Sequence, residues 1–509
     1  MSPAKSILHC AAAGALLLLV ATPAQASTAD PGSPAQQVSP AAADAALSDA
    51  VSALSGNAPD GDATSALDQL AQALPALHGR ERRHAEALLA RPTDGGSDPL
   101  HNGYTTGPVH AVYSNDYCFF WVDSGRDAAP QSDANANGIP DFVEATAAIA
   151  EQAYAVEHGP LGFRTPPSDG ARGCQAPDGR ARTDVYLKDL RGLYGYVAPD
   201  PGQRGDRRYS YLVIDNDMAE FAPLYGSEIP PLEVTVAHEY NHVIQYGYGY
   251  LQDSWFKEST STWIEEKVYP AVNDYLQYLP AFARQVTLPI TRNNGGLKIY
   301  GSAVWNHWLS YRYGDSIIER AWRNSHKTRP VDLATKAYGL AISQASAGRS
   351  SFLSEFTGFA AATAEWRSTS VFPDSAVYPE VTRSSTLRAS DRVYRRLSMD
   401  HTTFRLANVD VTSGSAVKLT VFAPRRVQSG LALVGRIGSG PGAGVVTALK
   451  ALPRGGKGSV RLPDPAQFDR ITAVVVNGEG SVTGFNPRIG DWSYRGDHAR
   501  YDAGVFRIG

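Results

Sequence analysis

Near its midpoint the chain runs Val236-Ala237-His238-Glu239-Tyr240-Asn241-His242-Val243-Ile244-Gln245. The spacing predicts an α-helix that presents both histidines together, because residues four apart lie on one helical face and two imidazoles there can reach one ion. Glu239 follows the first histidine and can project towards the open side of that ion, where a carboxylate can take a proton from water. The flanking residues Leu232, Val234, Val236, Ala237, Val243 and Ile244 are apolar, so the helix is expected to be buried. Unpartnered imidazoles in such a place would be costly. A zinc centre is therefore expected in preference to an ordinary amphipathic helix with two coincidental histidines.

A catalytic zinc needs a third protein ligand and keeps one position open. A third histidine in the pattern HExxHxxGxxH is excluded, since Gln245 and Tyr248 hold the required places. Further on comes Trp255-Phe256-Lys257-Glu258-Ser259-Thr260-Ser261-Thr262-Trp263-Ile264-Glu265-Glu266. The two strings together resemble the gluzincins, zinc peptidases in which a W-F-x-E stretch follows HExxH. They look especially like a family of secreted bacterial metalloproteases, over about residues 100–370. The resemblance implies Glu258 as the third ligand, with Glu265 and Glu266 as alternatives. Such enzymes also stabilise an oxyanion with a later tyrosine or histidine. Ile299-Tyr300-Gly301-Ser302-Ala303 resembles the Y-x-x-A stretch of these relatives, which makes Tyr300 the candidate and His307 and Tyr311 its rivals.

A second metal motif lies upstream. Asp133-Ala134-Asn135-Ala136-Asn137-Gly138-Ile139-Pro140-Asp141-Phe142-Val143-Glu144 fits a D-x-N-x-N-G calcium loop. Asp133, Asn135, Asn137, Asp141 and Glu144 supply side-chain oxygens, Ile139 a carbonyl, and Gly138 the sharp turn. The competing reading is a polar turn that begins a helix, because Asp, Asn and Gly favour turns in any case.

The whole chain sets the frame. Its 509 residues exceed one ordinary domain, and 43% hydrophobic residues leave ample material for a core. A net charge of −4 argues against a nucleic-acid partner. Lys5, an apolar run from about Ile7 to Val20 and Ala24-Gln25-Ala26 read as a secretory signal peptide cut after Ala26. That run is shorter than the ~20 residues a membrane span requires, so no membrane anchor is expected. Cys118 and Cys174 remain after the cut, and in an exported chain such a pair is expected to form a disulfide.

Residues 27–97 are rich in Ala, Ser, Asp and Pro, with Leu67, Leu70, Leu74 and Leu77 at helical spacing. They read as a loosely ordered leader with one or two helices, either a pro-segment or a simple linker. Strand patterns follow at Val109–Val122, Thr183–Leu190 and Tyr209–Asp215, with a helix at Phe142–Glu157 between the first two. Helices dominate from Leu232 to about Trp366. After Asp374 short strands recur between Gly, Pro and Asn turns. The fold class expected is α+β: a zincin-like catalytic domain over 98–374, and an all-β sandwich over 385–509.

The function expected is a secreted zinc peptidase acting on a peptide or protein substrate. The alternatives are an exported binding or adhesion protein with an inactive zincin fold, or a zinc hydrolase of another bond, such as a deacetylase. An intact Glu239 argues against the first of these.

Overall fold

The computed structural model describes residues 38–508 apart from 57–62, 95–102, 171, 175, 204, 251, 294, 327–333, 390–393, 412 and 481–497. The signal peptide and the leader's first residues lie outside these. The leader begins with α1 (Pro40–Leu54), α2 (Ala63–Ala73) and α3 (Gly79–Leu88). A central sheet follows, built from β1 (Val109–Tyr113), β2 (Tyr117–Val122), β3 (Thr183–Lys188), β4 (Gly195–Pro199) and β5 (Ser210–Asp215). The helix α4 (Asp141–His158) lies between β2 and β3 in sequence. Helices then run α5 (Ala222–Tyr225), α6 (Ile229–Gly249), α7 (Ser254–Val268), α8 (Leu279–Arg284), α9 (Lys298–Gly301), α10 (Ala303–Tyr313), α11 (Ser316–Ser325), α12 (Ala334–Ala345) and α13 (Phe352–Thr363). Mixed sheet first and helices after is the α+β order expected.

The sheet has the order β1-β2-β3-β5-β4. β2, β3 and β5 are parallel neighbours, whereas β1 and the opposite edge strand β4 run antiparallel to theirs. The stretch Val109–Val122 is a hairpin and not one strand: Ser114-Asn115-Asp116 turns the chain, and Tyr113 pairs with Cys118. Strands β2 to β5 are buried on both faces. Phe119, Trp121, Val185, Leu187, Val197, Leu212 and Ile214 point into the main core with α4 and α6. Phe120, Tyr186, Tyr196, Tyr211 and Val213 point the other way and meet the leader helices.

That second face corrects the expectation of a loosely ordered leader. Leu67, Leu70, Leu74 and Leu77 do form one apolar stripe, but the stripe is buried against the sheet, and alanines of α1 and α2 pack beside it. Cys118 and Cys174 are joined by a disulfide on this same side.

The C-terminal part is a sandwich of two sheets. Its strands are β6 (Arg383–Arg388), β7 (Arg395–Asp400), β8 (Thr403–Asp410), β9 (Ala416–Ala423), β10 (Ser429–Ile437), β11 (Gly444–Leu452), β12 (Gly456–Pro463), β13 (Arg470–Asn477) and β14 (His498–Ile508). One sheet has the order β11-β10-β13-β8-β6 and the other β12-β9-β14-β7. Strand alternation assigns two jobs. Leu431, Leu433, Ile471, Ala473 and Val475 fill the sandwich, while Ala432, Val434, Val474 and Val476 face outward into the main core with Phe352, Phe356 and Phe359 of α13. Leader, central part and sandwich thus belong to one compact unit from Val38 onward. No helix among the described residues is long and apolar enough to cross a membrane.

Candidate metal centre

The helix α6 is buried on nearly all sides because it crosses the core beneath the sheet, and its buried residues include Glu239, Asn241, His242 and Gln245. Gly195 of β4 lets the edge strand approach α6 closely: a Cβ there would stand 2.9 Å from the Thr235 methyl group. The helix α7 packs against α6 and is itself buried almost throughout, including Glu258 and Glu265.

These two helices bring His238, His242 and Glu258 together, with one ligand atom of each lying within 4.8 Å of the others. Glu258 Oε2 is 3.2 Å from His238 Nε2 and 3.3 Å from His242 Nε2. The opposite ring nitrogens are held by acceptors. Glu265 Oε1 takes His238 Nδ1 at 2.5 Å and Gln245 Oε1 takes His242 Nδ1 at 2.9 Å. Accepting at Nδ1 fixes each ring as the tautomer whose Nε2 carries a lone pair, which is the form that binds metal. His242 Nε2 is buried without a hydrogen-bond partner, and a cation between the three groups would satisfy it. The donor set therefore fits a zinc ion, which takes two imidazoles and a carboxylate.

The charges agree with this. Burial alone would raise the Glu258 carboxyl, but the facing His242 and His238 outweigh it and hold it below the usual range. Glu239, buried and next to Glu258, is raised.

Glu265 stands behind His238 as its orienting partner, not in the ligand position, and burial pushes its carboxyl up to about 8. Glu266 points elsewhere and is raised by burial and by Asp374. Tyr300 is half-buried beside the centre, its ring 6.1 Å from that of His238 and 5.2 Å from that of Tyr278. Of its rivals, His307 packs on Tyr275, and Tyr311 is 57% exposed.

Sequence reasoning missed the supporting network. Gln245 Nε2 donates to Asn241 Oδ1 at 2.6 Å and to Ser261 Oγ at 3.0 Å, and Asn241 donates to buried Glu157 at 2.7 Å. It also missed two leader residues. Thr64 Oγ1 donates to Glu239 Oε2 at 3.0 Å, and Ser65 Oγ lies 3.4 Å from Glu258 Oε1. Small hydroxyl residues in an alanine-rich helix carry no signal of this kind.

The upstream loop is exposed and open. Asp133 accepts backbone N–H groups of Asn137 and Gly138 at 3.1 and 2.8 Å. The side-chain amides of Asn135 and Asn137 donate to Glu144 at 2.9 and 2.6 Å. Gly138 has φ +85°, the left-handed turn expected at that place. Asp141 instead accepts from Ser132 and Ala134, bonds that lower its pKa. Asp133, Asn135, Asn137 and Glu144 thus converge; Asp141 closes the loop from the other side.

Residues 226–366 match the model of a family described only as a family of unknown function, DUF6055. The matched span contains His238, Glu239, His242, Glu258 and Tyr300. No curated protein matches the chain.

Proposed function

We propose that the chain is a secreted zinc-dependent peptidase, with His238, His242 and Glu258 as metal ligands and Glu239 as general base. The observation that carries this reading is the convergence of two Nε2 atoms on one Glu258 oxygen, each ring fixed from behind by Glu265 or Gln245. A zinc ion held there would supply Lewis acidity towards a carbonyl oxygen and would acidify a water molecule. Glu239 stands beside the ligands, ready to take the proton of that water and pass it to the leaving amine. Tyr300, its ring 6.1 Å from that of His238, is the candidate donor to a developing oxyanion. The antiparallel edge strand β4 borders α6 and can pair with an extended substrate backbone.

Calcium at Asp133–Glu144 would stabilise the start of α4, whose first turn carries Asp141 and Glu144. Export rests on the N-terminal pattern, and the Cys118–Cys174 disulfide supports it. The test is metal analysis together with cleavage of a quenched-peptide library. Peptide cleavage that depends on about one zinc per chain supports the reading. A zinc-loaded protein that cleaves no peptide after the leader has been released overturns it.

A further inference from the structure

The candidate centre is nearly closed: His242 is 0%, Glu258 1% and Glu239 7% exposed, and the His238 side chain 12%. A polypeptide cannot reach Glu239 in this arrangement, and what stands in its way is α2 of the leader. Thr64 makes two contacts at once. Its hydroxyl donates to the general base, and it accepts the Val197 N–H of edge strand β4 at 3.0 Å. These are the two places that the attacking water and an extended substrate backbone would need.

Resting on the peptidase reading, we infer that the leader from Val38 to Asp94 is an inhibitory pro-segment whose helix α2 occupies the substrate cleft. Two polar latches hold it. One turn beyond Thr64, Asp68 forms a buried ion pair with Lys257, and its carbonyl accepts the Tyr250 hydroxyl at 3.3 Å. Beyond α3, Arg91 is 1% exposed and pairs with Asp169 at 2.7 Å, Asp200 at 2.6 Å and Asp184. Breaking a buried ion pair by removing one partner leaves an uncompensated charge, so each latch holds firmly while intact.

The surface beneath the leader is nevertheless built like a contact between separable partners. Its large side chains are mostly tyrosines, and their hydroxyls bond leader atoms: Tyr211 reaches the Leu89 and Ala90 carbonyls at 3.2 and 2.9 Å, and Tyr186 meets Thr93 at 3.3 Å. Tyrosine and arginine are enriched at protein–protein contacts because they offer large apolar area yet remain soluble when uncovered. The opposite face of β3, β4 and β5 is instead aliphatic, with Val185, Leu187, Val197, Leu212 and Ile214.

The experiment keeps the full chain. A recognition sequence for a specific protease is inserted after Asp94, and the protein is cut after folding and passed over a sizing column. A second, uncut form carries Asp68→Asn and Arg91→Gln. Carbethoxylation of His238 and His242 is followed by mass spectrometry in zinc-free protein, with buried His307 as the reference for global unfolding. Peptide cleavage is measured separately with zinc added. The expected result is labelling of His238 and His242 that rises about tenfold or more relative to His307 in both altered forms, as local opening without unfolding requires. Labelling unchanged relative to His307 in both forms, or a leader that cannot be parted from the folded chain, overturns the pro-segment. So does an uncut wild-type chain that cleaves peptides as fast as the cut one, and that result leaves the peptidase reading standing. Raised labelling with no peptide cleavage in any form does the reverse: the plug stands and the peptidase reading fails.

Discussion

Both faces of the central sheet are buried, yet they are built on different principles. On one, Val185, Leu187, Val197, Leu212 and Ile214 interlock with α4 and α6, and burial of apolar area does the holding. On the other, the leucine stripe of the leader is buried too, but tyrosine hydroxyls and the Arg91 and Asp68 ion pairs add directional polar bonds between the leader and the sheet and its neighbours. The first construction has no discrete bond whose loss would free a part. The second has a small number of them, each ending on the same segment. One chain thus contains a permanent core face and a detachable one, separated by the thickness of a single sheet.

The largest expected effects fall on the permanent side, where the chemistry sits. His242→Ala should reduce zinc from about one per chain to almost none, and Glu258→Ala should act similarly. Glu265→Ala removes only the partner behind His238, so zinc affinity should fall by about 10–100-fold. Equilibrium dialysis against a zinc indicator separates these cases. A Glu265 variant as empty as the Glu258 variant would exchange their roles.

Next comes Glu239→Gln, which should retain zinc and the thermal midpoint while peptide cleavage falls by about 10²–10⁴-fold. Unchanged cleavage in a zinc-loaded variant would remove Glu239 from the mechanism.

The two faces can be compared directly by chemical denaturation of the intact and the cut, leader-free chain. Ile214→Ala should cost about 2–5 kcal/mol in both forms, because the cavity it leaves has nothing to do with the leader. Lys257→Met should cost about 3–5 kcal/mol in the intact form only, since it leaves buried Asp68 of the leader without its partner. Equal losses in both forms would dissolve the distinction between the faces. Tyr211→Phe, which deletes one hydroxyl shared by two leader carbonyls, should cost only about 1 kcal/mol.

The smallest effect belongs to the upstream loop. Calcium at millimolar concentration should stabilise the wild type by about 1–2 kcal/mol, as expected for an exposed extracellular site. Glu144→Gln should abolish the gain. A thermal midpoint indifferent to calcium in the wild type would return Asp133–Glu144 to an ordinary turn.

How much of this could be read from residues alone depended on whether a signal was periodic or relational. The HExxH helix, the W-F-x-E helix and the sandwich carried periodic signals, and α6, α7, β8 to β11 and β13 lie where those signals pointed. The hairpin in Val109–Val122 was legible and passed over, because Ser114-Asn115-Asp116 is an ordinary turn signal between two β-rich runs. β4 was not legible: Gly195-Tyr196-Val197-Ala198-Pro199 is short, begins with glycine and ends on proline, both of which normally weaken a strand. For the leader, leucine spacing announced a buried stripe but could not say what buried it. The hold of Thr64 on Glu239 spans 175 positions, and Glu265 serves a ring nitrogen on another helix. Neither contact leaves a mark in local pattern, since both depend on how finished elements meet.

The leader's position in the chain also gives its cover a place in time. Residues 38–94 leave the ribosome before any strand does, and domains generally form from the N-terminal side during synthesis. The aromatic backs of Phe120, Tyr186, Tyr196 and Tyr211 therefore emerge after the segment that covers them has been synthesised. An uncovered sheet of this kind is a hazard for sticking to other nascent chains, and β4 ends that sheet with an edge that Thr64 already occupies at Val197. The same residues that close the site are thus also the first available to cover those strands.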